Sequence, residues 1–159
     1  FANAAHDEVQ NIAARCKLQA LQFQGDEPPE YCSQFTVPVI KGFKIRRIAD
    51  LAPVERYAVA AYLFDSYVAG KDGGTGQSFD WAMIAGRTFS RPVIVAGGLT
   101  AINVEQAIKI LRPAAVDVST GVAQENGRHK DPSRLTAFIM AAREAARQIS
   151  LNGEQYGMH

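Results

Sequence analysis

Cysteine is scarce in this sequence: Cys16 and Cys32 are the only two in 159 residues. That is too few for a disulfide framework, and they lack the spacing of a metal site. Both thiols suit a reducing compartment, so a cytoplasmic location is expected. No apolar run approaches the roughly 18 residues that a membrane-spanning helix requires. An excess of charge is missing too: the formal net charge is +1, which argues against a dedicated nucleic-acid surface. Lys44, Arg46 and Arg47 form one small basic cluster, and a solvated loop explains it. The opening FANAAHDEVQ has neither the basic nor the apolar region of a signal peptide. A chain that is 47% hydrophobic and 21% charged has the composition of one globular domain with a sizeable core.

Short apolar runs alternate with helical periodicity along most of the chain. Residues 19–24, 38–45, 61–65, 92–96 and 114–119 read as buried strands: brief, rich in β-branched or aromatic residues, and bounded by Gly, Pro or Asp. Between them, Val104, Ala107, Ile108 and Leu111 share a helix face that Pro113 ends, with Thr100 where an N-cap is expected. Asp131 and Pro132 fit the N-cap and first position of a last helix, whose apolar face would be Leu135, Phe138, Ile139 and Ala142. Near the start, Val9, Ile12, Ala13 and Cys16 fall on one helix face, so Cys16 reads as buried. The tail 150–159 has no apolar period and reads as frayed. The expected organisation is a barrel-type domain over 1–149 and a tail over 150–159.

Strands alternating with helices imply parallel pairing through right-handed crossovers, hence an α/β fold. A Rossmann sheet should carry Gly-x-Gly-x-x-Gly after its first strand, and no such run is present. The glycines follow the late strands instead: Gly97-Gly98 after 92–96, and Ser119-Thr120-Gly121 after 114–118. A (β/α)8 barrel builds its phosphate site from the loops after its last two strands. Glycine lets the backbone approach the anion, and main-chain N–H groups grip it. Strand centres lie about 24 residues apart, so eight units would need roughly 190–200 residues, about two units more than this chain.

At the third predicted strand the sequence reads Leu63-Phe64-Asp65-Ser66, then Gly73-Gly74-Thr75-Gly76, then Phe79-Asp80-Trp81. VIVAGGL (93–99), VDVSTGV (116–122) and KDP (130–132) follow, while LQFQGDEPPEYC (21–32) and Phe1-Ala2-Asn3 precede. In order and spacing this set resembles the phosphoribosylanthranilate isomerase family over residues 1–146. The resemblance implies a TIM barrel of which this chain runs from the end of strand three through helix eight, without the first two β/α units. It implies an Amadori rearrangement of N-(5-phosphoribosyl)anthranilate to a 1-deoxyribulose phosphate in tryptophan biosynthesis, without metal or organic cofactor. The implied partner is a small phosphoribosyl substrate, with neither nucleic acid nor membrane.

By the same resemblance Asp65 is the general acid, which needs a pKa raised by burial. Gly97, Gly98, Ser119, Thr120 and Gly121 hold the phosphate, Asp117 faces the substrate, and Gly73, Gly74, Thr75 and Gly76 form a flap. Without the surrounding motif, a strand-end aspartate would read as a helix cap or loop hydrogen-bonder, Asp117 as a structural carboxylate, and the glycine run as a surface loop. Trp81 reads as packing against the barrel, and His6 and His129 as solvated or capping.

The sequence also departs from the family. The family's general base is a cysteine ending the first strand in a Lys-Ile-Cys-Gly-type motif, and its arginine after the second strand meets the anthranilate carboxylate; neither motif occurs in this chain. Cys16 and Cys32 belong to outer helix patterns and cannot stand in for the base. Gln24 stands where the family usually has histidine, and Ala123 where it commonly has glutamate. The chain alone is therefore expected to lack isomerase activity and to self-associate through exposed strand edges. Two other readings remain open: a phosphate-binding scaffold completed by a partner, or another phosphosugar barrel such as indole-glycerol-phosphate synthase.

Overall fold

The fold was obtained as a computed structural model, which describes residues 1–65, 81–125 and 127–155, with side chains through Leu151. The Gly73–Gly76 segment expected as a flap lies outside the described residues, as do Ser66, Phe79 and Asp80.

Among the described residues five strands form one sheet: β1 (Leu21–Phe23), β2 (Val39–Lys44), β3 (Ala61–Asp65), β4 (Val93–Ala96) and β5 (Ala115–Val116). Each pairs in parallel with the next, so the spatial order equals the chain order. That order decides the architecture. A doubly wound sheet reverses direction at a switch point and so places helices on both faces. With no reversal, right-handed crossovers put every connection on one face, and the other face is shielded when the sheet curls into a barrel. Phe1 extends the arrangement beyond β1: its amino group donates to the Gln22 carbonyl at 2.8 Å, and Gln24 N–H donates to the Phe1 carbonyl at 2.9 Å.

Register sorts the strand side chains into two sets. Phe23, Tyr62, Phe64 and Val95 point toward the helix layer and are buried together with Val9, Val54, Trp81, Val104 and Phe138. Full burial of a side chain of this size contributes about 1.5–3 kcal/mol, so this layer is the main source of stability. The opposite face carries Gly42, Leu63, Ile94 and Ala115 in one row. One step further toward the strand carboxyl ends come Lys44, Asp65 and Ala96.

The helix layer consists of α1 (His6–Cys16), the single turn α2 (Pro29–Cys32), α3 (Val104–Leu111) and α4 (Pro132–Gln155), with short 3-10 turns between β2 and β3. Asp131 caps α4 as expected, its Oδ1 accepting from Ser133 N–H at 2.8 Å and Arg134 N–H at 3.0 Å. Trp81 packs in the core.

Four expectations need correction. Cys16 is exposed, because α1 ends there in a left-handed Lys17 (φ 52°) that turns the chain off the core before the last helical residue can dock. The position before α3 is Asn103, which makes no side-chain cap bond, while Thr100 caps the turn leading into the helix, its Oγ1 accepting from Ile102 N–H at 3.2 Å and its carbonyl from Val104 N–H at 3.0 Å. Leu135 and Ile139 are 36% and 39% exposed. Phe138 and Ala142 of the predicted face pack as expected, joined by Ala141, Ala145 and Ile149 in place of Leu135 and Ile139, so the buried stripe is shifted around the helix. Finally, α4 continues to Gln155, past the 149/150 boundary drawn from the polar tail.

One ion pair is enclosed in the helix-facing layer. Lys41 Nζ lies 3.3 Å from Glu27 Oε2, with both side chains at most 3% exposed. The ammonium also donates to the carbonyls of Gly25 at 2.8 Å and Gly42 at 2.9 Å, and sits 5.4 Å from the Phe43 ring centroid. Glu27 Oε1 accepts from Asn3 N–H at 2.8 Å, and Tyr57 donates its hydroxyl to the Glu27 carbonyl at 3.1 Å.

Candidate active site

The carboxyl ends of the parallel strands gather the expected residues on one rim. Asp65 is the last residue of β3, paired in register with Lys44 on one side and Ala96 on the other. Gly97 and Gly98 follow β4 directly, and Asp117 follows β5, its N–H donating to the Val95 carbonyl at 2.9 Å. Asp65 and Asp117 thus flank Ala96 in the uppermost row of the inner face. Two strand spacings separate them, about 10 Å between backbones. A methyl group between two carboxylates leaves room for a small ligand.

Electrostatics distinguishes Asp65. Burial pushes its carboxyl above the ordinary carboxylate range, the Asp117 carboxylate pushes it further, and Lys44 opposes both. A carboxylic acid held this way keeps its proton more readily, which is the property a proton donor needs. Asp117, by contrast, is exposed.

The two glycine loops meet each other. Gly97 and Gly98 both adopt left-handed backbone, with φ 81° and 62°, which other residues rarely adopt. Gly121 sits so close to the first loop that a Cβ built on it would lie 1.9 Å from the Leu99 carbonyl oxygen. Gly121→Ala is therefore expected to cost about 1–3 kcal/mol in urea unfolding, as overpacking does, because backbone rather than a movable side chain stands in the way. Ser119 and Thr120 are exposed beside it. Gln24, on the inner face at the end of β1, lies over Gly42: a Cβ at position 42 would come 2.4 Å from the Gln24 Oε1.

Two residues absent from the predicted site stand against these loops. Asn103 Oδ1 accepts from Thr100 N–H at 2.8 Å while its Nδ2 donates to the Gly98 carbonyl at 2.9 Å. Lys130 Nζ donates to the Ser119 carbonyl at 2.8 Å and to Ser119 Oγ at 3.0 Å. Lys130 was visible only as part of the KDP match, and Asn103 only as a polar residue at a helix start.

Neither cysteine serves this rim. Cys16 is exposed on α1 and Cys32 is buried on α2, where burial raises the thiol pKa against the opposing pull of Lys41. A cleft of about 450 Å³ lined by Arg87, Arg91 and Arg112 lies at the other ends of β4 and β5, beside Pro92 and Ala114, away from Asp65. Among the described residues no group of three or more His, Cys, Asp or Glu could hold a metal ion, and no helix is long and apolar enough to cross a membrane.

Parallel strands in chain order, connections on one face, and carboxylates with glycine loops at the strand carboxyl ends define a β/α-barrel enzyme. Comparison with known proteins narrows this further. The family model described as N-(5'phosphoribosyl)anthranilate (PRA) isomerase matches residues 1–141, and the chain belongs to that family. A Desulforudis audaxviator protein named N-(5'-phosphoribosyl)anthranilate isomerase is 49% identical over 147 residues, covering 91% of this chain and 71% of that relative. The crystal structure of phosphoribosyl anthranilate isomerase from Thermotoga maritima superimposes with a TM-score of 0.80 at 31% identity, over 91% of this chain and 71% of its own. A second solved structure, a phosphoribosyl anthranilate isomerase in complex with reduced 1-(o-carboxyphenylamino)-1-deoxyribulose 5-phosphate, matches with a TM-score of 0.72 at 28% identity, over 91% of this chain and 69% of its own.

Proposed function

We propose that the rim around Asp65 carries out part of the Amadori rearrangement of N-(5'-phosphoribosyl)anthranilate, in tryptophan biosynthesis. The observation that carries this reading is a carboxyl group with a raised pKa in one row with Asp117 and beside two touching glycine loops. In this reading main-chain amides of the Gly97-Gly98 and Ser119-Thr120-Gly121 loops take the phosphate, and Asp117 faces the sugar. Asp65 gives its proton to the furanose ring oxygen. The ring C–O bond breaks as the nitrogen lone pair forms the Schiff base. Loss of the C2 proton to a base then yields an enolamine, which tautomerises to the ketone. Gly73–Gly76 would act as the flap over this site.

The base is the part these residues do not supply: Cys16 faces solvent, and Cys32 is buried with its thiol pushed toward the protonated form. The 159-residue polypeptide is therefore expected to turn over substrate at background level. Joined behind the first two β/α units of the Desulforudis audaxviator relative, it should gain about 10²–10⁴-fold, the usual contribution of a general base. Near-normal turnover by the polypeptide alone, or none by the joined protein, would reject the reading. Unpaired edges also favour self-association, and β5 pairs only with β4 among the described strands. Light scattering should find the polypeptide alone larger than a monomer and the joined protein monodisperse. Two free thiols accord with a cytoplasmic location.

A further inference from the structure

We infer that Asn103 and Lys130 are positioning residues that aim the phosphate-gripping amides, each by fixing one peptide plane of one loop. The inference rests on the phosphate reading above and adds the side chains that set it. In a trans peptide the C=O and the following N–H point in opposite directions, and among the described residues no peptide bond is cis. Asn103 Nδ2 holds the Gly98 carbonyl, so the Leu99 N–H of the same peptide is turned away from Asn103. Lys130 Nζ holds the Ser119 carbonyl, which turns the Thr120 N–H away from Lys130. Among the described residues neither the Leu99 nor the Thr120 N–H donates to a protein acceptor, so neither is committed elsewhere in the fold. Gly98 is left-handed, and glycine moves between left- and right-handed backbone at little steric cost, so an external hold on its carbonyl matters.

Each clamp is itself anchored. Asn103 begins α3 and accepts from Thr100 N–H, closing a three-residue turn around the loop. Lys130 is returned to the loop by a tight connection: Ala123 and Lys130 form an antiparallel bridge, Gln124 N–H donates to the His129 carbonyl at 2.9 Å, and Asp131 N–H donates to the Val122 carbonyl at 2.8 Å. Because Gly121 abuts the Leu99 carbonyl, misplacing either plane displaces its neighbour.

Calorimetric titration of the chain with reduced 1-(o-carboxyphenylamino)-1-deoxyribulose 5-phosphate, and with the same compound lacking its phosphate, tests this. Asn103→Ala and Lys130→Met are each expected to weaken the phosphorylated ligand roughly tenfold, the scale of one lost hydrogen bond of charged or well-aligned type. Affinity for the phosphate-free compound should stay unchanged, and Lys130→Arg should restore most of the loss. Equal weakening of both compounds would mean general structural damage and would overturn the inference. So would variants that keep the wild-type preference for the phosphorylated compound. If the unsubstituted chain shows no such preference, the phosphate reading itself fails, and the positioning role with it.

Discussion

Lys41→Met is expected to destabilise the fold by about 3–5 kcal/mol, because it leaves the Glu27 carboxylate enclosed without its counter-charge. The ammonium it removes is held by two carbonyls and one carboxylate at a site about 2% exposed. Methionine fills similar volume, so the loss is electrostatic rather than a cavity. Domains of this size have stabilities of only about 5–15 kcal/mol, so the variant should unfold at much lower urea. The companion change Glu27→Gln retains a hydrogen-bonding head for Asn3 N–H while removing the charge. In the double variant no enclosed charge remains unpaired, and its loss should fall well short of the sum of the two single losses. Additive losses in urea titrations of the four proteins would mean the two charges act independently.

Asp65→Asn in the protein joined to the first two β/α units is expected to lower kcat by about 10²–10⁴-fold with little change in KM, as loss of an acid group does. The pH dependence has a definite sign. In the proposed acid role Asp65 donates only while protonated, so the rate is expected to fall as pH rises through its elevated pKa. Asp117 is one cause of that elevation, so Asp117→Asn should move this alkaline limb to lower pH. A limb that stays in place would remove Asp65 as the titrating acid. Stability follows the opposite preference. Folding disfavours the charged form of Asp65, so the penalty is absent below the ordinary carboxylate value near 3.8 and complete above the raised folded-state value. Asp65→Asn should accordingly melt higher than the parent at neutral pH and level with it near pH 3 (about one unit below that ordinary value). A functional group held against its solvation preference commonly shows this trade of stability for activity.

The strands were legible because period and punctuation agree. All five predicted runs contain the observed strands, from Leu21–Phe23 to Ala115–Val116. The rim was legible because strand-end residues keep their order in any parallel barrel, so Asp65, Gly97 and Asp117 had one side on which to fall. What escaped depends on three-dimensional contact. Lys41 sits in a run of apolar residues, and nothing in its spacing reveals that Glu27, fourteen positions earlier, meets it. Asn103 and Thr100 are both reasonable caps by composition, and only the turn geometry separates them. Cys16 continued a valid helical stripe, but the left-handed Lys17 is a local event that periodicity does not encode. The polar residues after 149 carry no stripe, yet α4 continues through them to Gln155; periodicity reports burial, and backbone hydrogen bonds can carry a helix on without it.

The contact between Gly121 and the Leu99 carbonyl limits how such a barrel can be cut and recombined. A breakpoint between β4 and β5 would pair two turns that had not been fitted to one another. Chimeras that inherit residues 97–121 as one block should retain the proposed anion grip, whereas those that divide the block should lose it even with every glycine in place.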